Sequence, residues 1–540
     1  MEKRALIAVA LSLLILIGYQ LVVSHFFPAP PPPQIDLKRE EKPPETPPPA
    51  AREALPAPQE QAKLQRAKPQ APGKAEAARE IKIETDDYIA LFTTQGARLK
   101  SFQLKHYRAT VAEDSPPHDM IASIPGVPYP LGVEVPSADG SAVLSDEGVS
   151  YSASGGDQRL SGAQQGRLSF QGQIPGGPAV SKELTFTGQG YTIGLNLAAP
   201  GAAAPAIVLT ADGRPASPNS DTPFEGLLAD INGKFVHEHG DALKSKSWTG
   251  KVGWAGFGHT YFLFAVLPDQ GVEQTVTVRE TGPAVLLAVA QPPTAKGKAL
   301  FIGPKELDVL RSVGRGLEHS INFGWFAFIS IPLLYALHFF NRFTGSYGLD
   351  IILLTVIIKV VLAPLTHKSM VSMRQMQRLQ PQMERLKERY KDDKEGLNKE
   401  IMELYRRNGV NPFGGCLPML VQFPVFIGLY NALRTPIELR HAPFFWIKDL
   451  SRPDWESLPI DFAGWHFGIP ILTLLMGASM FLQQWMTPSA GDPNQRRMMM
   501  IMPVVFTFMF INFPSGLTIY WLVNNLLSIG QQYVTNRIHK

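Results

Sequence analysis

The stretch LLTVIIKVVLAPLTH (residues 353–367) is a run of Leu, Ile and Val that one lysine, Lys359, interrupts. Such a run is apolar enough to lie in lipid as a membrane-spanning helix. Lys359 lies eight residues before His367, about 12 Å from that end of the helix, and a lysine side chain extends only part of that distance. A charged group at this depth costs about 3 kcal/mol, which favours a function for the lysine inside the membrane.

The apolar runs are unevenly distributed along the 540 residues. They lie at the N-terminus and in about the last 200 residues, and a segment rich in Gly, Ser, Thr and Pro separates them. This pattern predicts a membrane protein that carries one soluble domain. The formal charge of +4 is small, and no basic stretch is interleaved with aromatic residues, so the sequence predicts no direct binding of nucleic acid.

The chain contains none of the common catalytic or metal-binding motifs. Its single cysteine, Cys416, lies in the apolar stretch NPFGGCLPML, where a small buried side chain is the expected role. GxxxxGK[ST], HExxH, GxSxG and CxxC are absent, and the twelve histidines show no ligand spacing. We therefore predict no enzymatic activity, no cofactor and no metal site.

The N-terminal segments predict an anchor followed by a tether. Residues 1–27 carry Lys3 and Arg4 near their start and continue as a long apolar run, which predicts an uncleaved transmembrane anchor with its charged end in the cytoplasm. A removed signal peptide is the alternative. Residues 28–80 are rich in Pro, Lys and Glu and lack Phe, Trp and Tyr, which predicts a disordered tether.

Residues 81–318 predict an inserted all-β domain. Short alternating stretches such as IKIETDDYIALFTT and KELTFTGQGYTIGLNL are separated by Gly, Pro, Asp and Asn, a pattern typical of an antiparallel sandwich. The strands are expected to end near Pro304, and PKELDVLRSVGRGLEHS predicts a helix that leads towards the membrane. We find no catalytic constellation in this domain.

The remainder of the chain predicts the membrane part, in which residues 346–540 form the core. Its candidate spans are 346–367, 411–434, 467–486, 498–513 and 515–535. The apolar stretch 325–343 is short for a span, and if it crossed the bilayer, the basic loop 368–410 with its eleven Lys and Arg would lie outside. Because basic loops stay in the cytoplasm, we place 325–343 as an amphipathic helix in the outer interface. The prediction is a polytopic α-helical membrane protein with six spans and both termini inside.

The basic loop itself predicts a cytoplasmic helical hairpin at 370–408. Apolar residues recur at helical spacing on both sides of the turn KDDKEG: mostly Met and Leu before it, and Leu, Ile and Tyr after it. The methionines are expected to pack the two helices together, and a docking surface for partners is the alternative.

Polar residues of several predicted spans could surround Lys359 and line a polar cavity. They are Thr355, Gln422, Gln483, Gln484, Tyr520, Asn524 and Asn525. The other predicted spans contain no acid, and Asp350 is more than two helical turns from Lys359, so a structural ion pair is not expected. One cation and several amides favour a hydrated groove, whereas hydrogen bonding between helices is the alternative for any single amide.

The C-terminal residues resemble the YidC-type membrane protein insertases. The resemblance covers residues 325–540 and depends on LAPLTHKSMVSMRQMQRLQPQMERL, LYRRNGVNPFGGCLPMLVQFPVFIGLYNALR, APFFWIKDLSRPD and FPSGLTIYWLVNNLLSIGQQ. The anchor and the β domain are similar in layout to the Gram-negative form of the family. The family usually has arginine at the position of Lys359, so this chain keeps the charge and loses the planar guanidinium.

The resemblance implies an insertase and chaperone for inner-membrane proteins that acts without nucleotide hydrolysis, alone or with the Sec translocon. It implies a hydrophilic substrate groove formed by Lys359, Thr355, Gln422, Tyr520, Trp521 and Asn524. Nascent inner-membrane proteins, the lipid bilayer, and the ribosome or signal recognition particle at the hairpin are the implied partners. The implied location is the bacterial inner membrane, with residues 28–345 in the periplasm.

Two other classes of function compete with this interpretation. A lone cation within the membrane also occurs in small-solute transporters and channels, although the spans show no inverted repeat. A structural scaffold for membrane complexes is the third class, and it predicts that neutralising the groove leaves insertion unchanged.

Overall fold

The computed structural model describes residues 65–66 and 78–538, except 122, 124, 138–141, 213–221, 293–296, 392, 411–416, 463–464 and 488–492. The predicted anchor, 1–27, lies outside the described residues, as does most of the predicted tether, 28–80. Within the tether, Gln65–Arg66 forms a short strand that pairs in parallel with Ala142 and Val143. At these two residues the backbone completes a sheet edge, where the sequence predicted an unstructured chain.

The β-strands of the described residues fall mostly between 80 and 304. In chain order they are β1 Gln65–Arg66, β2 Glu80–Glu84, β3 Tyr88–Thr93, β4 Arg98–Arg108, β5 Pro117–Asp119, β6 Gly132–Pro136, β7 Ala142–Ser145, β8 Ser152–Ser154, β9 Gln158–Arg159, β10 Gln165–Gln173, β11 Ala179–Thr187, β12 Thr192–Ala198, β13 Ala206–Asp212, β14 Phe224–Ile231, β15 Lys234–Glu238, β16 Ser245–His259, β17 Phe262–Leu267, β18 Glu273–Thr281, β19 Ala284–Ala290, β20 Lys298–Pro304, β21 Pro459–Phe462 and β22 Trp465–Gly468.

Strands β1 to β20 build a β-sandwich domain. The larger sheet has the order β1-β7-β6-β13-β19-β18-β16-β17-β20-β12-β11-β10-β8, with β14 and β15 attached through β16. The smaller sheet has the order β5-β4-β3-β2-β9. The long strand β16 pairs with β18 through its first half and with β14 and β17 through its second half. It therefore joins two parts of the larger sheet.

The core of the sandwich follows from the alternation of side chains along the strands. In β10 and β11, every second residue is buried, as expected when one face of a strand meets a core. The Phe92 ring of the smaller sheet contacts Phe170 and Phe186 of the larger sheet, with centroids 6.4 and 5.8 Å away. These contacts pack the two sheets face to face.

A buried ionic cluster also links the two sheets. Asp146 is fully buried and lies 2.7 Å from both the Lys182 ammonium and the Arg98 guanidinium. The Lys182 ammonium also donates to three backbone carbonyls, at 2.7 to 3.2 Å. The two cations share the one carboxylate, and the backbone carbonyls give Lys182 further acceptors, so each buried charge has hydrogen-bond partners.

The helices of the described residues lie C-terminal to the sandwich. They are α1 Leu307–Val313, α2 Ala327–Thr344, α3 Tyr347–Arg378, α4 Gln380–Arg389, α5 Lys394–Arg407, α6 Leu417–Arg434, α7 Ile471–Met486, α8 Pro493–Phe510 and α9 Ser515–Ile538. Single 3₁₀ turns occur at Gly240–Leu243, Leu317–Ser320, Ile437–Leu439 and Asp454–Ser457.

Several helix boundaries differ from the predicted ones. Helix α3 continues past the predicted end at 367 to Arg378, because the apolar helical spacing of Met370, Met373 and Met376 continues its pattern. The first helix of the predicted hairpin at 370–408 is therefore divided between α3 and α4.

The span predicted at 467–486 begins too early. Helix α7 starts at Ile471 after Pro470, and Trp465–Gly468 is instead the second strand of the β21–β22 hairpin. The helix predicted from PKELDVLRSVGRGLEHS is also interrupted. Gly314 and Arg315 take positive φ angles of 76° and 61°, which end α1 at Val313.

The helical part has its own apolar core and an apolar outer surface. Residues such as Leu354, Leu433, Met476 and Leu517 are buried between α3, α6, α7 and α9. Many large apolar side chains of these helices and of α8 are exposed instead: Leu349, Leu353, Val356, Ile357, Val360, Val361, Leu420, Phe423, Leu474, Leu475, Phe481, Leu482, Trp485, Ile501, Met502, Val504, Val505, Phe508, Met509, Leu526 and Val534. An exposed apolar surface of this extent is typical of contact with lipid.

One helix of the described residues, Tyr347–Arg378, is by length and composition able to cross a membrane, and Ile471–Met486 and Met499–Phe510 are shorter apolar helices.

Candidate functional site

Lys359 lies at the interface between α3 and α9. Its ammonium group donates to the Ser528 hydroxyl at 2.5 Å and to the Asn524 side-chain oxygen at 3.3 Å. Both acceptors are neutral, and the side chain is only partly buried. The charge is therefore solvated by dipoles and is not neutralised by these contacts.

The nearest acid on the same helix has other partners. Asp350 is fully buried and accepts hydrogen bonds from Asn341 at 2.8 Å and from Thr344 at 2.5 Å. It lies nine residues before Lys359, about 13 Å along the helix axis. Asp350 therefore fixes the junction of α2 and α3.

A second polar contact joins α6 and α9. The side-chain amide of Gln422 donates to the Tyr520 hydroxyl, and Tyr520 itself is almost completely buried, at 1% exposure. The sequence suggested both residues separately, and the structure brings them together. This contact fixes α6 against α9. Tyr520 lies one helical turn before Asn524, on the same face of α9.

Thr355 and Trp521 have different surroundings from Lys359. The Thr355 hydroxyl donates to the Ile351 carbonyl at 2.6 Å, within its own helix, and Thr355 is 1% exposed. The Trp521 ring contacts Phe426 and Phe510, with centroids 4.9 and 5.2 Å away. Trp521 therefore belongs to an aromatic cluster between α6, α8 and α9.

Sequence reasoning missed a polar seam that extends from Lys359 along α9. We define this α9 seam as Asn524, Ser528, Gln531 and Thr535, whose spacing of four, three and four residues places them on one helix face. Gln531 donates to the Thr366 hydroxyl at 2.8 Å, and the Arg374 guanidinium donates to the Thr535 carbonyl at 3.0 Å. The helical spacing of these polar residues was the signal that could have revealed the seam.

Other amides of the membrane part bind helices together. Asn525 donates to the Ser479 hydroxyl at 3.1 Å, and Gln532 donates to the Met486 carbonyl at 2.7 Å. Asn525 and Gln532 are both buried. Hydrogen bonding between α9 and α7 therefore explains why these two positions of α9 have polar side chains.

The hairpin that follows α3 has a small apolar core. Leu379, Tyr405 and Val410 are buried, and Met376 and Met383 pack against them. The Tyr405 hydroxyl lies 3.1 Å from the Met383 sulfur. These two methionines therefore pack the helices of the hairpin together, whereas Met402 is 56% exposed.

Two family models match almost the whole described chain. Residues 80–336 match the model described as YidC periplasmic domain, and residues 339–540 match the model described as 60Kd inner membrane protein.

Named relatives match over similar lengths. A protein from Pelobacter propionicus named membrane protein insertase YidC is 40% identical over 556 residues, which is 100% of this chain and 99% of the relative. A relative of the same name from Geobacter sulfurreducens is 41% identical over 84% of this chain and 85% of its own length. These names specify insertion and no catalysed reaction.

A solved structure described as an active YidC insertase with the first transmembrane domain resolved is similar to this chain. The two share 21% identity with a TM-score of 0.37, over 85% of this chain and 93% of that chain.

Proposed function

Because the chain belongs to the YidC family of membrane protein insertases, we propose that it inserts nascent proteins into the bacterial inner membrane by means of a polar groove around Lys359. The proposed groove comprises Lys359, Thr355, Gln422, Tyr520, Trp521 and Asn524, and we add Ser528 to it. Thr355 and Tyr520 are each 1% exposed, so their proposed role is to support the groove by packing. The observation that carries the proposal is an ammonium group, set in an apolar helix, whose hydrogen-bond acceptors are both neutral.

The proposed mechanism is electrostatic attraction followed by transfer into lipid. An uncompensated ammonium in a poorly polar environment attracts the acidic or polar tail of a substrate more strongly than it would in water. The apolar segment of the substrate then leaves the groove for the lipid, and its burial there drives insertion. Hydrogen bonding and apolar burial suffice, so the proposal includes no covalent step.

The proposed topology has six spans with both termini in the cytoplasm. The spans are the anchor at 1–27, α3, α6, α7, α8 and α9, and residues 28–345 lie in the periplasm. The exposed apolar residues of α3, α7 and α8 support contact with lipid, and the eleven basic residues of 368–410 support a cytoplasmic hairpin. Helix α2 lies in the outer interface, as supported by its exposed Phe328, Phe339 and Phe343.

We extend the proposal to partners. The hairpin, α4 and α5 with the end of α3, recruits the ribosome or the signal recognition particle through its exposed basic residues, and the insertase works alone or beside the Sec translocon.

Insertion of paired substrates tests the role of Lys359. Two single-span substrates that differ only in an acidic or a neutral translocated tail are added to proteoliposomes, and protection from protease is measured. We expect Lys359→Arg to keep activity, Lys359→Glu to be the least active, and Lys359→Ala to fall between them and to affect the acidic tail more. Equal insertion of both substrates by the parent, Ala and Glu variants would contradict the mechanism and favour a scaffold.

Measuring the flux of small solutes across the membranes of the same vesicles tests the alternative that the protein is a transporter or channel. Flux of small solutes that depends on Lys359, without protection of either substrate, would favour a channel or transporter instead.

A further inference from the structure

The loop after α6 presents two exposed aromatic side chains on a tight turn. The backbone N–H groups of Phe444 and Ile447 each donate to the carbonyl of the other, at 2.8 and 2.9 Å. Phe445 and Trp446 are the central residues of this turn and are 83% and 36% exposed. We call Phe445 and Trp446 the aromatic tip.

Phe445 occupies a backbone conformation that suits glycine. Its φ is +51°, and of the two central residues only Phe445 has a positive φ, as in a type II′ turn, where glycine usually holds this position. A bulky residue in this region is strained, and such strain concentrates at functional sites. Because most of the Phe445 side chain is exposed, packing does not explain its presence.

The base of the turn is rigidly attached to the start of α3. Ile447 and Leu450 are buried at 2% and 0% exposure. The Phe444 ring lies against Gly348, where a Cβ atom would come within 2.2 Å of it. Glycine at 348 thus permits the close contact, and this contact fixes the height of the aromatic tip relative to α3.

The height of the tip corresponds to a membrane boundary. Gly348 precedes Lys359 by eleven residues, about 16 Å along the helix, which is about half of a hydrocarbon core of about 30 Å. The exposed apolar residues Leu349 and Leu353 begin at the same level. Lys448, two residues after Trp446, is also exposed and is suited to contact a lipid phosphate.

We propose that the aromatic tip inserts into the headgroup–acyl boundary of the outer leaflet and sets the depth of α3, and therefore of Lys359. The partner is a glycerophospholipid surface, because aromatic residues beside a basic residue favour that boundary. The inference depends on the proposed placement of α3 across the membrane.

Quenching of Trp446 by brominated lipids tests the proposal. The parent and Trp446→Phe are reconstituted in phosphatidylcholine–phosphatidylglycerol vesicles brominated near the headgroup or near the chain end, and the difference in emission gives the Trp446 signal. We expect shallow bromines to quench this signal about twofold more than deep bromines. Phe235→Trp, at an exposed position of β15 in the sandwich domain, is the control that stays unquenched.

A glycine variant separates anchoring from a structural role. Phe445→Gly relieves the positive φ, so we expect an unchanged or higher midpoint of thermal unfolding together with weaker quenching of Trp446. A lower midpoint with unchanged quenching would assign Phe445 a structural role and overturn the proposal. A Trp446 signal that neither the shallow nor the deep bromines quench would also overturn it. If the parent vesicles still insert substrate in that case, only the tip proposal fails. If the parent inserts no substrate, the proposed function fails as well.

Discussion

Ser528 accepts the shorter of the two hydrogen bonds from the Lys359 ammonium group, at 2.5 Å. Its hydroxyl also donates to the Asn524 carbonyl at 2.7 Å, which orients a lone pair of the oxygen towards the lysine. The ammonium is therefore held at the α3–α9 interface by a neutral acceptor of fixed direction. Ser528 therefore helps to determine where the charge of Lys359 lies.

Replacing Ser528 by Val should reduce insertion of the acidic-tailed substrate by about fivefold, corresponding to one hydrogen bond of about 1 kcal/mol. Valine cannot accept a hydrogen bond from Lys359, and because it has the shape of threonine, Ser528→Thr is its matched control. Ser528→Thr restores the hydroxyl and should insert like the parent. If Ser528→Val lowers insertion of the neutral-tailed substrate equally, Ser528 is a structural residue and does not position the lysine.

The ionic cluster of the sandwich predicts unequal effects for its members. Asp146→Asn leaves Lys182 and Arg98 as two buried cations and should cost about 3–5 kcal/mol. Lys182→Met leaves Asp146 paired with Arg98 and should cost less. Thermal unfolding of the β domain, followed by near-ultraviolet circular dichroism, measures both variants, and the double variant should cost less than the sum of the two.

The Asp146 carboxylate of this cluster makes the free energy of unfolding of the sandwich domain depend on pH. Burial alone raises the pKa of Asp146, but the Lys182 and Arg98 charges outweigh it and hold this pKa below the usual value of 3.8. The unfolded chain therefore binds a proton at higher pH than the folded one, so the contribution of Asp146 is complete above pH 3.8 and is lost as pH falls through the lowered pKa. Asp146→Asn should remove this part of the acid sensitivity, and an unchanged pH profile would contradict the assignment.

At the scale of elements, α3 joins two environments in one helix. Its first half carries exposed apolar residues and Lys359, and its last residues pack into the hairpin through Met376. Pro364 lies within α3 between Lys359 and the hairpin. It has no N–H to donate to the carbonyl of residue 360, so the hydrogen bonding of α3 is interrupted between its two environments.

Leu386→Pro should reduce insertion and leave the spans folded. Proline in the interior of α4 removes a backbone hydrogen bond and costs about 3 kcal/mol locally. Leu386→Ala, which keeps α4 helical, is the matched control and should insert like the parent. Normal insertion by the proline variant, with α4 shown to be disrupted by hydrogen exchange, would mean that the hairpin is only a connector.

At the scale of the whole molecule, the sandwich domain packs directly on the helical part. Leu334 of α2 and Ile437 belong to the same apolar cluster as the sandwich residues. The Arg440 guanidinium lies over the Phe262 ring, 5.4 Å from its centroid, and donates to the Ala109 carbonyl at 3.4 Å. The domain therefore supports the end of the bundle that α2 and residues 437–440 form, in addition to any role of its own.

Deleting residues 85–300, with the anchor and α1 retained, should leave insertion largely intact and lower the thermal midpoint of the helical part. The reason is that the groove residues all lie on α3, α6 and α9, whereas the deletion exposes Leu334 and Ile437 to water. Arg440→Ala in the full chain is the control that removes only one contact between the two parts. A truncated protein that is folded in the membrane but inactive would show that the sandwich takes part in insertion.

The sequence by itself determined the features that depend on local composition. Apolar runs, alternation of period two and helical spacing predicted a β domain and a helical membrane part, and the isolated charge of Lys359 suggested the place of the proposed groove. Family motifs added the insertase function. These properties are readable because hydropathy and periodicity belong to consecutive residues.

Only the tertiary structure decided which polar residues meet. Asn524 and Ser528 are 165 and 169 residues from Lys359 along the chain, and neighbouring Asn524 and Asn525 point to α3 and α7, respectively. The same amide type thus contacts the groove lysine in one case and binds two helices in the other. The difference arises because adjacent residues of a helix point in directions about 100° apart. Which neighbouring helix each residue contacts then depends on how the helices pack.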